Sequence, residues 1–308
     1  MMMLAPSLAT IQPSVILAPF TAYQVGGPAQ WFIQPKSIPE LQSALGWAKE
    51  NDLPITWLGF GSNVLVSDQG IPGLVICLRS LQHMEVEGDL VRVAAGVSLA
   101  KLAMKTARLG LGGMEWAVGI PGSVGGGVVM NCGAHGQDMS ESVVSIQVMT
   151  PEGTIETWAA EDLAYSYRTS SLQTKVDYVV LEATLHLAAG QDPKVCEAHV
   201  ERCNHYRKTT QPTGFPTCGS VFRNPKPHGA GWLIEHTGLK GTRIGGVEVS
   251  ELHANFFLNR EGATAQDIID LMKYVQEKVW ERWQAPLQPE VKLLGEFTGI
   301  TNLWLPEH

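Results

Sequence analysis

Residues 119–136 read GIPGSVGGGVVMNCGAHG and hold seven of the 32 glycines in this 308-residue chain. Because a glycine inside a helix or strand costs roughly 0.5–1 kcal/mol, the run predicts loops rather than a regular element. A flexible linker is the alternative, but a linker would not contain the turn Ile120-Pro121-Gly122 and then three apolar residues. We therefore expect loops in which the main chain closely approaches another group.

Alternating strand and helix patterns lie on both sides of this run. Apolar runs predict strands at residues 30–34, 54–58, 73–78, 90–94 and 178–187, and a hairpin over 144–158 with its turn at Pro151-Glu152-Gly153. Capping residues and helical spacing predict helices from Ser37, over 98–108 and 194–208, and from near Thr264. The core faces predicted for these helices are Leu41, Leu45 and Ala48; Cys196, Val200 and Cys203; and Ile268, Met272, Val275, Val279 and Trp283.

Composition limits the function classes. The chain has 30 acidic and 22 basic residues, a net charge of −8, and 44% hydrophobic residues. These values fit a packed protein of two or three domains and argue against partners such as nucleic acid or an anionic membrane surface. No run of about 18 apolar residues predicts a membrane span. The proline-broken residues 1–20 have no basic start, so we expect an irregular arm rather than a signal peptide.

Cysteine and histidine spacing gives no sign of a metal site. The five cysteines form no Cys-x-x-Cys pair, and the nine histidines show no ligand spacing. We therefore expect free thiols, no metal and a reducing cytoplasmic location.

Two glycine-rich segments are candidate phosphate cradles. Residues 59–63, GFGSN, follow a predicted strand and could direct several main-chain N–H groups at a pyrophosphate. An ordinary tight turn explains this motif equally well when it is taken alone. Together with residues 119–136, however, the pair suits a ligand with a long phosphate arm, such as a dinucleotide.

Three further motifs carry polar side chains whose roles stay open on local sequence. YSYRTS contains Arg168, which could simply be a solvated arginine at a strand end. GSVFRNP contains Ser220, but no Gly-x-Ser-x-Gly elbow makes it an acyl-transfer nucleophile. QPEV contains Glu290, and most such glutamates are exposed and inert.

Taken in order, these motifs resemble a known family. GFGSN, GIPGSVGGGVVMNCGAHG, YSYRTS, GSVFRNP, GLKGTRIGG with VSELHANFFLN, and PEVKLLGEF are similar to the motifs of UDP-N-acetylenolpyruvoylglucosamine reductases over nearly the whole chain. The resemblance implies an α+β fold: a two-lobed p-cresol-methylhydroxylase-type FAD-binding domain, with lobes at 1–85 and 86–208, and a substrate-binding domain at 209–308. The short C-terminal domain is similar to the family branch that lacks an insertion there.

The resemblance also implies an activity. It predicts a cytoplasmic, monomeric flavoenzyme that uses non-covalent FAD and NADPH to reduce the enolpyruvyl group of UDP-N-acetylenolpyruvoylglucosamine for peptidoglycan precursor synthesis. The implied catalytic residues are Arg168, Ser220 and Glu290. The implied FAD contacts are Gly59, Gly61, Ser62, Asn63, Gly119, Ile120, Pro121, Gly122, Ser123, Gly125 and Gly126. The implied substrate contacts are Tyr167, Arg207, Lys208 and Asn224.

In the implied reaction a hydride reaches the terminal alkene carbon, and negative charge builds up on the neighbouring carbon and the carboxylate. Arg168 would hold that carboxylate, a protonated Glu290 would donate a hydrogen bond to it, and Ser220 would protonate the carbanion carbon. These three groups are distant in the sequence and would have to converge over one face of the flavin.

Three residues depart from the family pattern, and two alternative functions stay open. Cys218 stands where a small Ala or Ser is usual, Arg223 where Lys is usual, and Gln24 where a basic residue is common. One alternative is another FAD-dependent oxidoreductase of the same fold, although neither glycine loop before residue 127 offers a histidine for covalent flavin attachment. The other is a catalytically silent protein that binds flavin or nucleotide sugar.

Overall fold

The structure, a computed structural model, describes residues 10–297. The described chain forms two compact units. The first contains residues 10–12, 31–60 and 73–207, and the second contains residues 13–30, 61–72 and 208–297. The predicted division at residues 85 and 208 stays a prediction, and it differs from these units in the placement of residues 13–30 and 61–72.

The helices and strands are numbered here in chain order. The helices are α1 (Ile38–Glu50), α2 (Leu99–Arg108), α3 (Val124–Met130), α4 (Pro193–Thr210), α5 (Ala230–Thr237) and α6 (Ala265–Trp283). The strands are β1 (Gln12–Ile16), β2 (Pro28–Ile33), β3 (Ile55–Leu58), β4 (Val64–Val66), β5 (Ile71–Cys77), β6 (Met84–Glu87), β7 (Leu90–Ala94), β8 (Gly133–Ala134), β9 (Gln137–Asp138), β10 (Val143–Met149), β11 (Ile155–Ala159), β12 (Val179–His186), β13 (Arg243–Ile244), β14 (Val247–Val249), β15 (Phe257–Asn259) and β16 (Lys292–Leu294).

The first unit is built around a five-stranded antiparallel sheet in the order β11-β10-β12-β7-β6. The predicted hairpin is confirmed: β10 and β11 pair with Met149 opposite Ile155, and Gly153 turns the chain with a φ of +83°. Nearer the N-terminus of this unit, strands β3 and β5 pair in parallel, with Leu58 opposite Cys77. All the strands predicted for this unit are present.

Two helices of the first unit begin as their capping residues predict. Ser37 Oγ accepts a hydrogen bond from the Glu40 N–H at 3.3 Å, and Ser98 Oγ accepts one from the Lys101 N–H at 3.1 Å. The predicted core face of α1 is confirmed, since Leu41, Leu45 and Ala48 are buried. Of the face predicted for α4, only Cys196 is buried; Val200 and Cys203 are half-buried.

The glycine run corrects one prediction. We expected loops over residues 119–136, but residues 124–130 form α3, with Ser123 as its N-cap. The helix packs against β12 and β7. A Cβ on Gly125 would lie only 2.8 Å from the Ala95 Cβ, so close packing on the sheet requires a residue without a side chain. Tertiary packing and the N-cap together offset the intrinsic cost of three glycines in a helix.

The N-terminal arm is the second correction. Within the predicted irregular segment 1–20, the described part contains β1 and a 3₁₀ turn at Ala18–Phe20. Main-chain pairing fixes this stretch despite its prolines; for example, the Leu17 N–H donates to Gly27 O at 3.0 Å. Residues 1–9 lie outside the described residues.

The second unit combines the three-stranded antiparallel sheet β13-β14-β15, the parallel pair β4 and β16, and helices α5 and α6. The predicted face of α6 is confirmed: Ile268, Met272, Val275 and Val279 are buried, while Trp283 is half-buried. The first turn of α6 is anchored by Asp68, whose carboxylate accepts from the Ala265 and Gln266 N–H groups at 2.8 and 3.0 Å. Among residues 10–297, no helix combines the length and the apolar character that a membrane span requires.

Candidate active site

The two predicted phosphate loops meet in the first unit. A Cβ on Gly59 would lie 2.5 Å from Ser123 Oγ, so glycine is required where the loop after β3 approaches the start of α3. Ser123 Oγ accepts from the Gly126 N–H at 3.3 Å. This contact brings the two motifs together, as one shared ligand would require; that the two motifs share a ligand stays a prediction, and the helix that the second motif opens was not predicted.

Main-chain hydrogen bonds fix the start of α3 to the segment between β7 and α2. The Val124 and Gly125 N–H groups donate to Val97 O and Ala95 O at 2.8 and 2.9 Å, and the Leu99 N–H donates to Gly122 O at 2.9 Å. This pairing is the physical basis for a preformed loop, because it leaves little main-chain freedom to lose when a ligand binds.

Arg79 is a residue that the sequence analysis missed. Its Nε donates to Gly59 O at 3.1 Å and its Nη2 donates to Phe60 O at 2.9 Å. Its guanidinium carbon also lies 5.2 Å from the centre of the Phe60 ring. Arg79 thus fixes the main chain at the start of the first glycine loop. No local motif marks it, since its partners are main-chain carbonyls about twenty residues earlier.

Arg168 occupies a two-residue turn. Ser166 and Thr169 exchange main-chain hydrogen bonds of 3.1 Å in both directions, with Tyr167 and Arg168 between them. Arg168 has a φ of +55°, in the left-handed region that non-glycine residues rarely adopt. Gln173 Nε2 stabilises this conformation by donating to Arg168 O at 2.9 Å. Strained main chain of this kind concentrates at functional sites.

The guanidinium of Arg168 lies against the end of α3. Its Nη1 donates to Asn131 O at 3.4 Å and its Nη2 donates to Gly133 O at 2.6 Å. Asn131 ends α3 in the left-handed conformation, and its Nδ2 donates to Ser166 O at 3.0 Å. Ser170 Oγ donates to Val129 O at 2.6 Å. The last carbonyls of a helix lack partners within it, and the Arg168 loop supplies them here.

The surroundings of Arg168 favour neutral groups. Burial raises the pKa of the Cys132 thiol to about 12, although the nearby Arg168 charge acts in the opposite direction. Burial also raises the pKa of Tyr165, with Cys132 and Asp138 adding to the shift. The Cys132 thiol and the Tyr165 hydroxyl are therefore neutral near pH 7.

Two predicted substrate contacts, Arg207 and Tyr167, lie in the first unit. The Arg207 side chain packs over the second glycine loop, where a Cβ on Gly119 would lie 3.1 Å from Arg207 Cδ. Burial lowers the pKa of the Arg207 guanidinium. The exposed Tyr167 ring lies 5.1 Å from the Arg168 guanidinium carbon. Their contact with a substrate stays a prediction.

The rest of the first glycine loop lies in the second unit. Gly61 has a φ of +60°, and a Cβ there would lie 2.2 Å from Phe20 O, so only glycine fits. Cys218 is buried beneath it and donates from Sγ to Val64 O at 3.2 Å. The unusual cysteine in this family motif thus packs beneath the loop.

Main-chain pairing in the second unit places Ser220 and Glu290 on neighbouring segments. The Glu290 N–H donates to Val221 O, and the Arg223 N–H donates to Gln288 O, both at 2.8 Å. Ser220 and Glu290 are both half-buried. Arg168 belongs to the first unit, so the meeting of all three groups at one point stays a prediction.

Asn63 connects the first glycine loop to Glu290. Its Nδ2 donates to Glu290 O at 3.1 Å, and its main-chain oxygen accepts from the Lys292 N–H at 3.0 Å. The sequence analysis gave Asn63 only a cofactor role. The structure adds that Asn63 holds the segment that carries the candidate acid.

Asn224 and Lys208, the other predicted substrate contacts, differ in their surroundings. Asn224 Oδ1 accepts from the Ala230 N–H at 3.0 Å at the start of α5, so part of its hydrogen-bonding capacity is structural. Lys208 is exposed on α4. Both residues belong to the second unit, and their substrate roles stay predictions.

The residues of the two glycine loops are compatible in charge with the phosphate arm of a dinucleotide such as FAD, and their contact with it stays a prediction. Neither GFGSN nor residues 119–126 contain an acidic side chain. Within the first loop, Gly59 and Gly61 are positions where a Cβ would collide with protein atoms, so the path of the main chain there requires glycine. Among residues 10–297, no group of three or more His, Cys, Asp or Glu side chains is arranged to hold a metal ion.

Comparisons with known proteins agree with this arrangement. A family model described as "UDP-N-acetylenolpyruvoylglucosamine reductase, C-terminal domain" matches residues 211–294, and one described as "FAD binding domain" matches residues 29–158. UDP-N-acetylenolpyruvoylglucosamine reductase of Nostoc punctiforme is 53% identical over 94% of this chain and 88% of its own length. The enzyme of that name in Gloeobacter violaceus is 50% identical over 92% of this chain and 96% of its own length.

A solved structure has the same fold. The crystal structure of UDP-N-acetylenolpyruvylglucosamine reductase from Thermus caldophilus matches with a TM-score of 0.81 and 32% sequence identity. The match covers 92% of this chain and 99% of that one. The predicted α+β fold, with an FAD-binding domain followed by a C-terminal domain, is confirmed.

Proposed function

Since this chain belongs to the UDP-N-acetylenolpyruvoylglucosamine reductase family, we propose that Arg168, Ser220 and Glu290 carry its reaction. The chain is an FAD-dependent oxidoreductase that reduces UDP-N-acetylenolpyruvoylglucosamine in peptidoglycan precursor synthesis, with NADPH as the reductant. When bound, FAD supplies the hydride that NADPH provides. The residues that would hold FAD are Gly59, Gly61, Ser62, Asn63, Gly119, Ile120, Pro121, Gly122, Ser123, Gly125 and Gly126.

Arg168 binds the carboxylate of the enolpyruvyl group in this proposal. An arginine stays charged at every relevant pH, and its planar fork matches a carboxylate. The hydrogen bonds to Asn131 O and Gly133 O support this role because they fix the plane of the guanidinium before substrate arrives. A donor that is already in place stabilises developing negative charge without further reorganisation.

Ser220 donates the proton to the carbon next to the carboxylate. A hydroxyl is a weak acid, but an enolate-type carbon is basic enough to accept its proton at about 3 Å. Glu290 donates a hydrogen bond from its protonated form to the carboxylate oxygens as their charge grows. The pairing of Glu290 N–H with Val221 O is the observation that carries this assignment, because it places the two candidate groups on adjacent segments.

The remaining predicted contacts and the setting complete the proposal. Tyr167, Arg207, Lys208 and Asn224 bind the nucleotide sugar. The enzyme works as a cytoplasmic monomer without a membrane or nucleic-acid partner. All five cysteines are free thiols, which is typical of proteins in a reducing compartment. Light scattering of the purified protein would then give a mass near 33.4 kDa, whereas twice that mass would overturn the monomer.

Absorption spectroscopy of the purified protein tests the function. We expect flavin bands that NADPH bleaches and that UDP-N-acetylenolpyruvoylglucosamine then restores in the absence of oxygen. UDP-N-acetylglucosamine is the control, because it lacks the alkene and should leave the flavin reduced. Bleaching that only oxygen reverses would reject the reductase. Denatured protein should release the yellow colour, since FAD is expected to be non-covalent.

A further inference from the structure

Asn255 lies in the VSELHANFFLN motif, to which no function has been assigned above. Its side chain forms two hydrogen bonds with one residue of the GSVFRNP segment: Oδ1 accepts from the Phe222 N–H at 3.0 Å, and Nδ2 donates to Phe222 O at 2.8 Å. Its main-chain oxygen accepts from the Val221 N–H at 2.8 Å. Only 1% of Asn255 is exposed. The side chain therefore bonds Phe222 as a neighbouring strand would.

The segment that begins at Ser220 is consequently held on both sides. On one side, Val221 O and the Arg223 N–H pair with the chain at Glu290 and Gln288. On the other side, Asn255 supplies the partners of Val221 and Phe222. Because these groups are buried, a lost partner would leave an unsatisfied amide or carbonyl, which costs about 1–3 kcal/mol.

The residue directly before Ser220 has more freedom, although Cys218, one residue further back, is buried and bonded to Val64 O. Gly219 has a φ of +78°, and a Cβ built on it would meet no atom within 4 Å. Ser220 therefore lies between a glycine with open space around it and a segment that is bonded on both sides, and Asn255 binds the two residues that directly follow Ser220.

We propose that Asn255 is a positioning residue that places the Ser220 hydroxyl for proton donation, an inference that rests on the function proposed above for Ser220. Asn255 itself touches neither substrate nor flavin in this proposal. A displacement of about 1 Å at a reacting group can cost about 10²-fold in rate. The amide is suited to the task because it donates and accepts at once without carrying charge.

Asn255→Asp tests this with little change in shape. The carboxylate can still accept from the Phe222 N–H, but it cannot donate to Phe222 O and would repel it. We expect the reoxidation of reduced holoenzyme by the enolpyruvyl substrate to slow about 10- to 100-fold. Flavin reduction by NADPH should change less than about twofold, since Ser220 has no part in that step.

Asn259→Asp is the matched control. Asn259 Nδ2 donates to Tyr23 O at 2.9 Å and Oδ1 accepts from the Ala263 N–H at 3.3 Å, so the same change removes the same kind of bond. These side-chain hydrogen bonds go to Tyr23 and Ala263 rather than to residues 220–222. Both variants should lose thermal stability, but only Asn255→Asp should slow reoxidation. If Asn259→Asp slows reoxidation as much as Asn255→Asp does, the proposal is overturned.

A double-mutant cycle separates this inference from the proposed function. In a Ser220→Ala background, Asn255→Asp should slow reoxidation less than about threefold, because no hydroxyl remains to be positioned. Additive losses would overturn the role of Asn255. If Ser220→Ala alone has no effect, the proposed function of Ser220 fails first. If Ser220→Ala slows reoxidation and Asn255→Asp does not, only the present inference fails.

Asn255→Ser and hydrogen exchange keep the test decisive if Asn255→Asp folds poorly. Serine removes the amide without placing a charge beside Phe222 O and should show the same selective loss in smaller measure. Deuterium uptake by residues 218–224 of the holoenzyme should rise in the Asn255 variants and not in Asn259→Asp. If neither Asn255 variant folds while Asn259→Asp does, Asn255 is a folding residue and the proposal is overturned.

Discussion

The loop around Arg168 and the segment that begins at Ser220 hold their functional residues in opposite ways. At Arg168 the strained residue is the functional one: its own φ is +55°, and its guanidinium donates to two carbonyls after α3. At Ser220 the left-handed residue is the preceding Gly219, and hydrogen bonds hold the following main chain. One region fixes a side chain, and the other fixes the chain that carries it.

The difference matches the demands of the two proposed tasks. Charge stabilisation benefits from a cation whose orientation is set before substrate binds, and direct bonds to the guanidinium achieve this. A proton donor must release its hydrogen to substrate, so binding the hydroxyl itself would compete with the reaction. Fixing the neighbouring peptide groups avoids that competition.

The largest effect is expected when the Ser220 hydroxyl itself is removed. Ser220→Ala should slow flavin reoxidation by the enolpyruvyl substrate about 10²–10⁴-fold and leave reduction by NADPH largely intact. Stopped-flow absorbance measures both steps. Ser43→Ala, which removes an exposed hydroxyl from α1, should change neither rate. Equal damage to both half-reactions would contradict the assigned role.

Arg168→Lys breaks the first arrangement while keeping the charge. A single ammonium cannot bond Asn131 O and Gly133 O and also present a fork to a carboxylate. We expect reoxidation to slow about 10²–10³-fold, as when one preorganised donor is lost. Arg108→Lys, at the exposed end of α2, is the control. A lysine enzyme within threefold of the original would show that charge alone suffices.

The third prediction concerns the stability of α3, because the end of this helix is bonded to the Arg168 loop. Gly125→Ala should lower the free energy of unfolding by about 1–3 kcal/mol, because its Cβ would press on Ala95. Gly46→Ala, in α1, should raise it by about 0.5–1 kcal/mol, because open space surrounds that position. Urea denaturation of the holoenzyme measures both. A stable Gly125→Ala protein would mean that α3 can shift.

The smallest effect concerns the core of the second unit. Tyr23 is fully buried, and within residues 10–297 its hydroxyl has no hydrogen-bond partner. Burial, with Cys218 adding, raises the pKa of Tyr23 well above its usual value, so the group is neutral. Tyr23→Phe should leave stability unchanged or raise it by up to about 1 kcal/mol. The exposed Tyr274→Phe is the control, and a loss above 1 kcal/mol at Tyr23 would reveal a hidden partner.

The sequence predicted those parts of the fold that local patterns determine. The hairpin at 144–158 and the apolar face of α6 follow from alternation and helical spacing, and both are confirmed. Helix α3 was missed because intrinsic glycine cost was weighed without the packing on Ala95 that outweighs it. Strand β1 was missed because its pairing is not visible in a segment interrupted by Pro13.

The sequence likewise predicted some residues of the candidate site and not others. Arg168, Ser220 and Glu290 could be named because family motifs contain them, whereas the contact between Gly59 and Ser123 was not predicted. Arg79, Asn131 and Asn255 could not be found by that reasoning. Each acts on main-chain groups of a distant segment, and only the folded chain brings those groups within reach.

The anchoring of α6 by Asp68 has a consequence for dissecting the gene. Strand β16 takes its parallel partner β4 from the first quarter of the chain, and the first turn of α6 relies on a carboxylate from the same region. An expression fragment that starts at Lys208 would therefore encode only part of the second unit. A version that folds alone would need residues 13–30 and 61–72 restored, by fusion or by co-expression as separate peptides.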